Sequence, residues 1–366
     1  MTTTPPAFED ARNLRQKVRA AGLDPDHWYA VEYDQAIRPG QVVATRFWGQ
    51  PIAVYRGTDG QLRALEDRCA HRQLQLSLGE VTGCVLTCAY HGWSYGEDGA
   101  LAGIPHDRCG RPMPSLRIRA YPVQSRYGFV WLFPGDPARA PLRPLPEVPE
   151  LEGRDPWAYV PHSFTWRAHH SMVIDNLCDL THAHLHRSFP SFQPGRLLSS
   201  QAEPDRVVMR YEAKVGPLVG ARSVRPSELE ICYDYPYHRA RFEWSGIGGR
   251  ITYWTFLLPL DAATTRVFFV FCYDTLRVPW LPVPLGHRVL TGLLRLANTV
   301  VRPLLRQDGF ALEAEQEGYQ AHPDAPVIEL NPVVSLLHRL TVRKWEEHLA
   351  AARPAGAPAV PEVVAP

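Results

Sequence analysis

Two short pairs of cysteine and histidine, Cys69-Ala70-His71 and Cys88-Ala89-Tyr90-His91, are separated by sixteen residues. Thiolates and imidazoles are the side chains that bind soft and borderline metals. Two of each, on two loops with Gly92 and Trp93 close by, suit a [2Fe-2S] cluster with both thiolates on one iron and both imidazoles on the other. The same four residue types would also close a tetrahedral zinc site, although zinc fingers usually place two cysteines before two histidines, whereas here the types alternate. A third reading, core cysteines beside surface histidines, makes the paired spacing a coincidence.

A second stretch, residues 175–186, reads Asp-Asn-Leu-Cys-Asp-Leu-Thr-His-Ala-His-Leu-His. His182 and His186 are four apart, so a helix would put them on one face, with Asp175 and Asp179 on nearly the same stripe. Two such imidazoles with one distant carboxylate make the facial triad of a non-haem Fe(II) oxygenase, leaving positions open for dioxygen. The alternative is a polar helix face carrying solvated histidines.

These residues need a scaffold, and 366 residues predict two domains, each able to bury its own core. The first segment, residues 1–26, contains an amphipathic helical pattern from Ala7 to Gly22. Residues 27–135 read as short β runs (Val42 to Ala44, Ile52 to Tyr55, Leu62 to Leu65, Tyr127 to Phe133), with a hairpin signal at Thr58-Asp59-Gly60. Residues 136–156 are proline-rich and read as an extended linker or wrap. In residues 157–349 the runs at Arg206 to Tyr211, Ile251 to Phe256 and Arg266 to Phe271 suggest an antiparallel sheet, followed after Pro284 by a long Leu-rich helix. Arg288, Arg295 and Arg302 repeat every seven residues on that helix, as on a membrane-surface helix or on the solvated side of a packed one. The tail, residues 350–366, reads as disordered.

Net charge is +1 with no basic block, which argues against nucleic acid as a partner. Seven cysteines without a regular framework suit a reducing compartment. Neither a secretory signal nor a membrane-spanning run is present, so a cytoplasmic location is expected.

Cys-x-His, the spacer and Cys-x-x-His together resemble the Rieske family. Respiratory Rieske proteins carry two further cysteines, at positions held here by Leu74 and Tyr90, and a serine where Trp93 stands. Without that serine's hydrogen bond a lower cluster potential is expected. His91-Gly92-Trp93 is the form seen in ring-hydroxylating and related oxygenases, and the second stretch resembles their Asn-x-x-Asp-x-x-His pattern through Asn176, Asp179 and His182. The resemblance implies an α+β chain: a Rieske β domain, then a catalytic domain with an antiparallel sheet and packed helices of helix-grip type. It implies a [2Fe-2S] cluster on Cys69, His71, Cys88 and His91, and a mononuclear Fe(II) on His182, His186 and Asp308. His184 would point to another face, so His186 is preferred. Asp308 is the matching distal carboxylate, expected where the Leu-rich helix breaks before Gly309; Asp261, Asp274, Glu313, Glu315 and Asp324 are the alternatives. Asp179, with Asn176 beside it, is implied to link the iron to His91 of a neighbouring copy, hence a head-to-tail homotrimer.

No dinucleotide fingerprint is complete, Gly246-Ile247-Gly248-Gly249 being the nearest, so an external NAD(P)H-dependent reductase, with or without a ferredoxin, is the expected electron source. The substrate is expected to be a small organic, ring-containing molecule, hydroxylated, demethylated or desaturated with O2. Phe164, Trp166, Tyr233, Trp244, Tyr253, Trp254 and Phe256 are candidate lining residues. Residues 63–74 resemble the saxitoxin-type alkaloid-tailoring branch. An electron carrier without oxygenase activity and a zinc-stabilised binding module are the rival readings.

Overall fold

The computed structural model of the chain describes residues 5–106, 110–153, 157–188, 193–213, 227–243, 249–274, 287–296 and 301–352. Trp244, residues 246–248 of the glycine run and residues 353–366 of the tail lie outside them.

Alternating apolar runs broken by glycine turns give the N-terminal third three small antiparallel sheets. The first joins β2 (Val42–Phe47), β3 (Gln50–Arg56), β4 (Leu62–Glu66) and β9 (Ala120–Tyr121). The expected turn connects β3 to β4, with Gly60 at φ +81°. A second sheet of β5 (Glu80–Thr82), β6 (Val85–Thr87), β7 (Ser94–Tyr95) and β8 (Leu101–Gly103) carries the metal loops. One loop leaves β4 and the other leaves β6. Tyr55, Leu65, Leu76, Leu86 and Tyr95 form the core beneath them. The third sheet, β1 (Tyr29–Tyr33), β11 (Phe129–Leu132) and β10 (Val123–Arg126), turns at Tyr127 and Gly128, so the run from Tyr127 to Phe133 is a turn followed by a strand.

The C-terminal half has one seven-stranded antiparallel sheet in the order β12 (Ala158–Trp166), β18 (Thr264–Tyr273), β17 (Arg250–Asp261), β16 (Tyr237–Glu243), β15 (Ser227–Asp234), β14 (Arg206–Ala213) and β13 (Arg196–Ala202). One face grips helices α2 (His170–Cys178), α4 (Val301–Ala321) and α5 (Pro332–Ala352). The other face packs on the third N-terminal sheet through Phe129, Trp131, Phe256 and Phe268, with Trp131 and Phe256 rings 4.8 Å apart. Trp254 and Phe256 therefore belong to this shared core, and Phe164, Trp166, Tyr233 and Tyr253 to the helix-facing wall. The proline-rich segment is packed rather than extended: 3₁₀ turns at Pro137–Leu142 and Pro149–Leu151 bring Ala140, Leu145 and Val148 into the same core. Its buried Glu150 accepts a hydrogen bond from Trp254 Nε1 at 3.0 Å.

Several expected helices differ in extent. Helix α1 spans only Leu14–Ala20, because Asn13 caps Gln16 N at its start and Gly22 is pressed against Trp345 just past its end. Of the Leu-rich run after Pro284, the described residues form α3 (His287–Leu296) and α4, and residues 297–300 between them lie outside the described set. Leu290 of α3 is buried on Ala158, Val160 and Ile251, while Arg295 and Arg302 lie over the rings of Tyr159 and Phe164. Most consequentially, α4 does not break before Gly309. Leu305, Asp308, Gly309, Leu312, Gln316 and Tyr319 form its buried stripe, at the spacing of one helical face. The glycine stays helical because its missing side chain admits the Trp166 indole: a Cβ there would lie 2.3 Å from Nε1.

Gly309→Ala is expected to force that rigid indole aside and cost about 1–3 kcal/mol, read as a fall in the urea midpoint with an unchanged m-value. An unchanged midpoint would show that α4 does not depend on this contact.

Candidate active site

Each cysteine–histidine loop is closed by its own backbone. Cys69 N donates to Leu74 O at 2.8 Å, and Cys88 N donates to Trp93 O at 2.8 Å. Buried Asp67 ties the first loop down by accepting from Ser77 N and Ser77 Oγ, both at 2.7 Å. Gly92 holds φ +70°, and a Cβ there would meet Pro105 Cγ at 2.6 Å, so the second loop requires glycine. The loops bring both thiols into the core and set the His71 and His91 rings 4.5 Å apart. Burial, together with the neighbouring Cys69 thiol, pushes the Cys88 thiol up. His71 Nδ1 is buried with no hydrogen-bond partner. Paired buried thiols beside two imidazoles, one with an unmet ring nitrogen, fit a [2Fe-2S] cluster. Cys84 lies exposed in the β5–β6 turn, away from this group.

Two contacts of these loops emerge only from the fold. Trp93 stacks on His71, with centroids 4.6 Å apart, and donates Nε1–H to His106 Nε2 at 3.0 Å. The Tyr95 hydroxyl lies 3.3 Å from Cys69 Sγ and accepts Ala70 N–H at 2.9 Å, so its proton is free for the sulfur. The position held by Trp93 lacks a hydroxyl, yet Tyr95 supplies one two residues later.

The second constellation does not sit on a continuous helix. α2 ends at Cys178, Asp179 leaves helical geometry, and His182–His184 form a 3₁₀ turn. That turn still sets the His182 and His186 rings 5.2 Å apart, and α4 brings Asp308 to meet them. Asp308 Oδ1 lies 3.1 Å from His186 Nε2 and 3.7 Å from His182 Nε2, and the three ligating groups all fall within 4.8 Å. Two imidazoles and a carboxylate converging on one point fit a single divalent iron with open positions. His186 Nδ1–H donates to Gln307 Oε1 at 3.0 Å, which turns Nε2 inward. Burial lowers the His182 pKa against the pull of Asp308; at His186 the same burial is outweighed by the hydrogen bonds to Asp308 and Gln307, which raise it. Asn176 Nδ2 approaches Asp308 Oδ1 at 3.4 Å. His184 is exposed beside Arg187.

The proposed stripe of Asp175, Asp179 and His182 is not shared. Asp175 turns to Arg19 and His338, at 2.8 Å each, and braces α2. Asp179 Oδ1 accepts from Thr181 N at 2.8 Å and Asn331 Nδ2 at 2.9 Å, and its carboxylate borders a cleft of about 750 Å³. The other carboxylates are engaged elsewhere: Glu313 with Arg167, Glu315 with Arg19, Asp274 with Arg250, Asp324 with Gln16, and Asp261 in the β17–β18 turn.

Two family models divide the chain along these lines. The Rieske [2Fe-2S] domain matches residues 27–122, and the vanillate O-demethylase oxygenase C-terminal domain matches residues 166–352. The chain belongs to the Rieske non-haem iron oxygenases. It is 42% identical over 353 residues to a 4β-methylsterol monooxygenase of Methylococcus capsulatus, covering 93% of this chain and 94% of that protein. A vanillate O-demethylase oxygenase subunit from a Pseudomonas species is 40% identical over 131 residues, 36% of this chain and 39% of that one. In fold the oxygenase is similar to dicamba monooxygenase bound to dicamba, with TM-score 0.68, 21% identity and coverage of 91% and 100%. It is likewise similar to NdmA of Pseudomonas putida with caffeine, with TM-score 0.64, 19% identity and 92% of each chain covered. Its cofactors are those of the family, a [2Fe-2S] cluster and a mononuclear non-haem iron.

Tyr95→Phe removes one donor to a cluster sulfur. A hydrogen bond worth ~1 kcal/mol more to the reduced form corresponds to a fall of about 40 mV for one electron, measured by redox titration of the visible spectrum. A potential unchanged to within a few millivolts would show that the hydroxyl does not reach the sulfur.

Proposed function

We propose that this oxygenase oxidises an sp³ carbon of an apolar, fused-ring substrate of sterol size. The 42% identity to a methylsterol monooxygenase across 93% of the chain carries the reading. The helix-facing wall agrees with it: Phe164, Tyr253, Phe269 and Phe271 are aromatic, with the Tyr253 and Phe271 rings 5.3 Å apart. Such a surface suits a flat hydrocarbon.

Cys69, His71, Cys88 and His91 hold the cluster in this reading, and His182, His186 and Asp308 hold the iron. The metal centres supply electron transfer and dioxygen activation when bound. Gln307 fixes the His186 tautomer, and Asn176 steadies Asp308. Asp179 has one carboxylate oxygen saturated by Thr181 and Asn331, which leaves Oδ2 for an N–H arriving from the cleft. That donor is His91 of a second copy in a head-to-tail trimer. Exposed apolar side chains border both surfaces: Val327, Ile328 and Leu330 beside the cleft, Tyr90 beside His91. Side chains as open as Ile328 at 85% and Leu330 at 87% call for a partner surface. Electrons come from an external NAD(P)H-dependent reductase, directly or through a ferredoxin. The six described cysteines are unpaired, in keeping with a reducing cytoplasm. Among the described residues no helix is long and apolar enough to cross a membrane.

Supplied with a reductase, NADH and ¹⁸O₂, the enzyme is expected to place labelled oxygen in a methyl-bearing sterol, followed by mass spectrometry. Oxidation of single-ring methoxyarenes with no sterol product would overturn the substrate class. The trimer has its own test. Asp179→Asn and Cys88→Ala chains, each inactive alone, should regain activity when co-assembled, because an intact cluster on one copy then faces an intact Asp179 on the next. Mixed assemblies as inactive as their parents would place electron transfer within one chain.

A further inference from the structure

Helix α3 is held from one side. Leu290 is buried on Ala158, Val160 and Ile251, and Thr291 Oγ1 accepts Tyr159 N–H at 3.3 Å, so α3 covers the outer edge of β12. Its opposite side is open to solvent. Val289 and Leu293, one turn apart, are 57% and 48% exposed, and Arg288 and Arg295 form an exposed row beside them.

The charge around this face has one sign. Between Asp274 and Asp308 the chain carries five arginines and no acidic residue. Arg288, Arg295, Arg302 and Arg306 are exposed, and among the described residues none of them is paired with a carboxylate. In the same half of the chain Arg196, Arg206, Arg210 and Arg250 each reach one at 2.7–3.3 Å. A helix face that only meets water mixes both signs, as α5 does where Arg343 and Lys344 both approach Glu347. On α3 bare aliphatic side chains stand beside unpaired guanidiniums instead, and a surface that satisfies both must be apolar within and anionic at its rim.

The size of the face decides between a protein and a membrane. A helix of 10 residues is ~15 Å long and ~10 Å across, far short of the ~800 Å² that each partner buries in a stable protein interface. A bilayer needs no such footprint, because insertion of a few aliphatic groups and attraction to anionic headgroups add together. The position suits the chemistry as well. The strand that α3 covers carries Phe164 of the aromatic wall, and Arg302 lies over that ring, 5.7 Å from its centroid.

We propose that the outer face of α3 is a membrane-surface site that seats the enzyme on an anionic lipid bilayer. Val289 and Leu293 enter the acyl boundary, and Arg288 and Arg295 meet headgroup phosphates. Taken with the fused-ring reading, this docks one end of the aromatic wall on the layer in which such a substrate dissolves.

The test uses the holoenzyme without substrate, sedimented with vesicles of phosphatidylcholine alone or of equal parts phosphatidylcholine and phosphatidylglycerol. The wild type should bind the mixed vesicles at least about tenfold more tightly, and added salt should release it. Arg288→Gln should weaken binding about fivefold, whereas Arg196→Gln, which removes the same charge at the far edge of the sheet, should not. Val289→Asp with Leu293→Asp should weaken it at least about tenfold, with the visible cluster spectrum and the melting temperature unchanged. A wild type that ignores the mixed vesicles, or equal losses from Arg288→Gln and Arg196→Gln, would overturn the assignment. So would a wild type that ignores vesicles while the aspartate pair lowers its molar mass in light scattering, which would make the face a contact between copies. Should the aspartate pair not fold, the two glutamine variants still decide. No sterol enters the measurement, so failure here leaves the fused-ring reading standing, and failure of sterol oxidation leaves the membrane site standing.

Discussion

Helix α4 rests on the Trp166 indole at Gly309, and this contact sets a carboxylate where two imidazoles can meet it. Burying Asp308 alone would cost several kcal/mol, since a carboxylate removed from water needs charge or hydrogen bonds in return. His182, His186 and Asn176 supply them within the protein, and a divalent cation between the three ligating groups would do so more fully. The rest of the catalytic half serves that placement. The sheet provides the wall that α4 presses on, the 3₁₀ turn after α2 provides the imidazoles, and Gln307, next to Asp308 on the same helix, orients one of them.

The wall is itself held from behind. Trp131, Phe129 and Phe133 of the N-terminal half interleave with Phe256 and Phe268, and the proline-rich segment closes over the same rings. The two halves share an aromatic core in place of a flexible hinge. A second brace runs under α2, where Arg19 and His338 both reach Asp175. Buried ion pairs of this kind add little net stability but fix geometry, because removing one partner strands the other. The polar network fixes the helix end from which the 182–186 turn departs.

Much of this was legible in the sequence, for identifiable reasons. The cysteine–histidine loops could be read because metal ligation constrains residue type and spacing locally, and the strands because their alternation is a period of two. Tyr95 and Gln307 lie four residues and one residue from recognised positions, yet only the fold shows that they point at them. The role of Gly309 was misjudged in a typical way. Glycine is a helix breaker by propensity, but a tertiary contact with Trp166 outweighs a penalty of about 1 kcal/mol and keeps the helix running. The opposite error arose at His182 and His186, where four-residue spacing suggested a helix although a tighter turn gives the same convergence.

The account stands or falls on Asp308 as the third ligand beside His182 and His186. Iron and acid-labile sulfide, counted in anaerobically purified wild type and Asp308→Ala, test it most directly. About three irons per chain are expected in the wild type and about two in the variant, with sulfide and the visible cluster spectrum unchanged. A variant that keeps all its iron would contradict the placement of the ligand on α4.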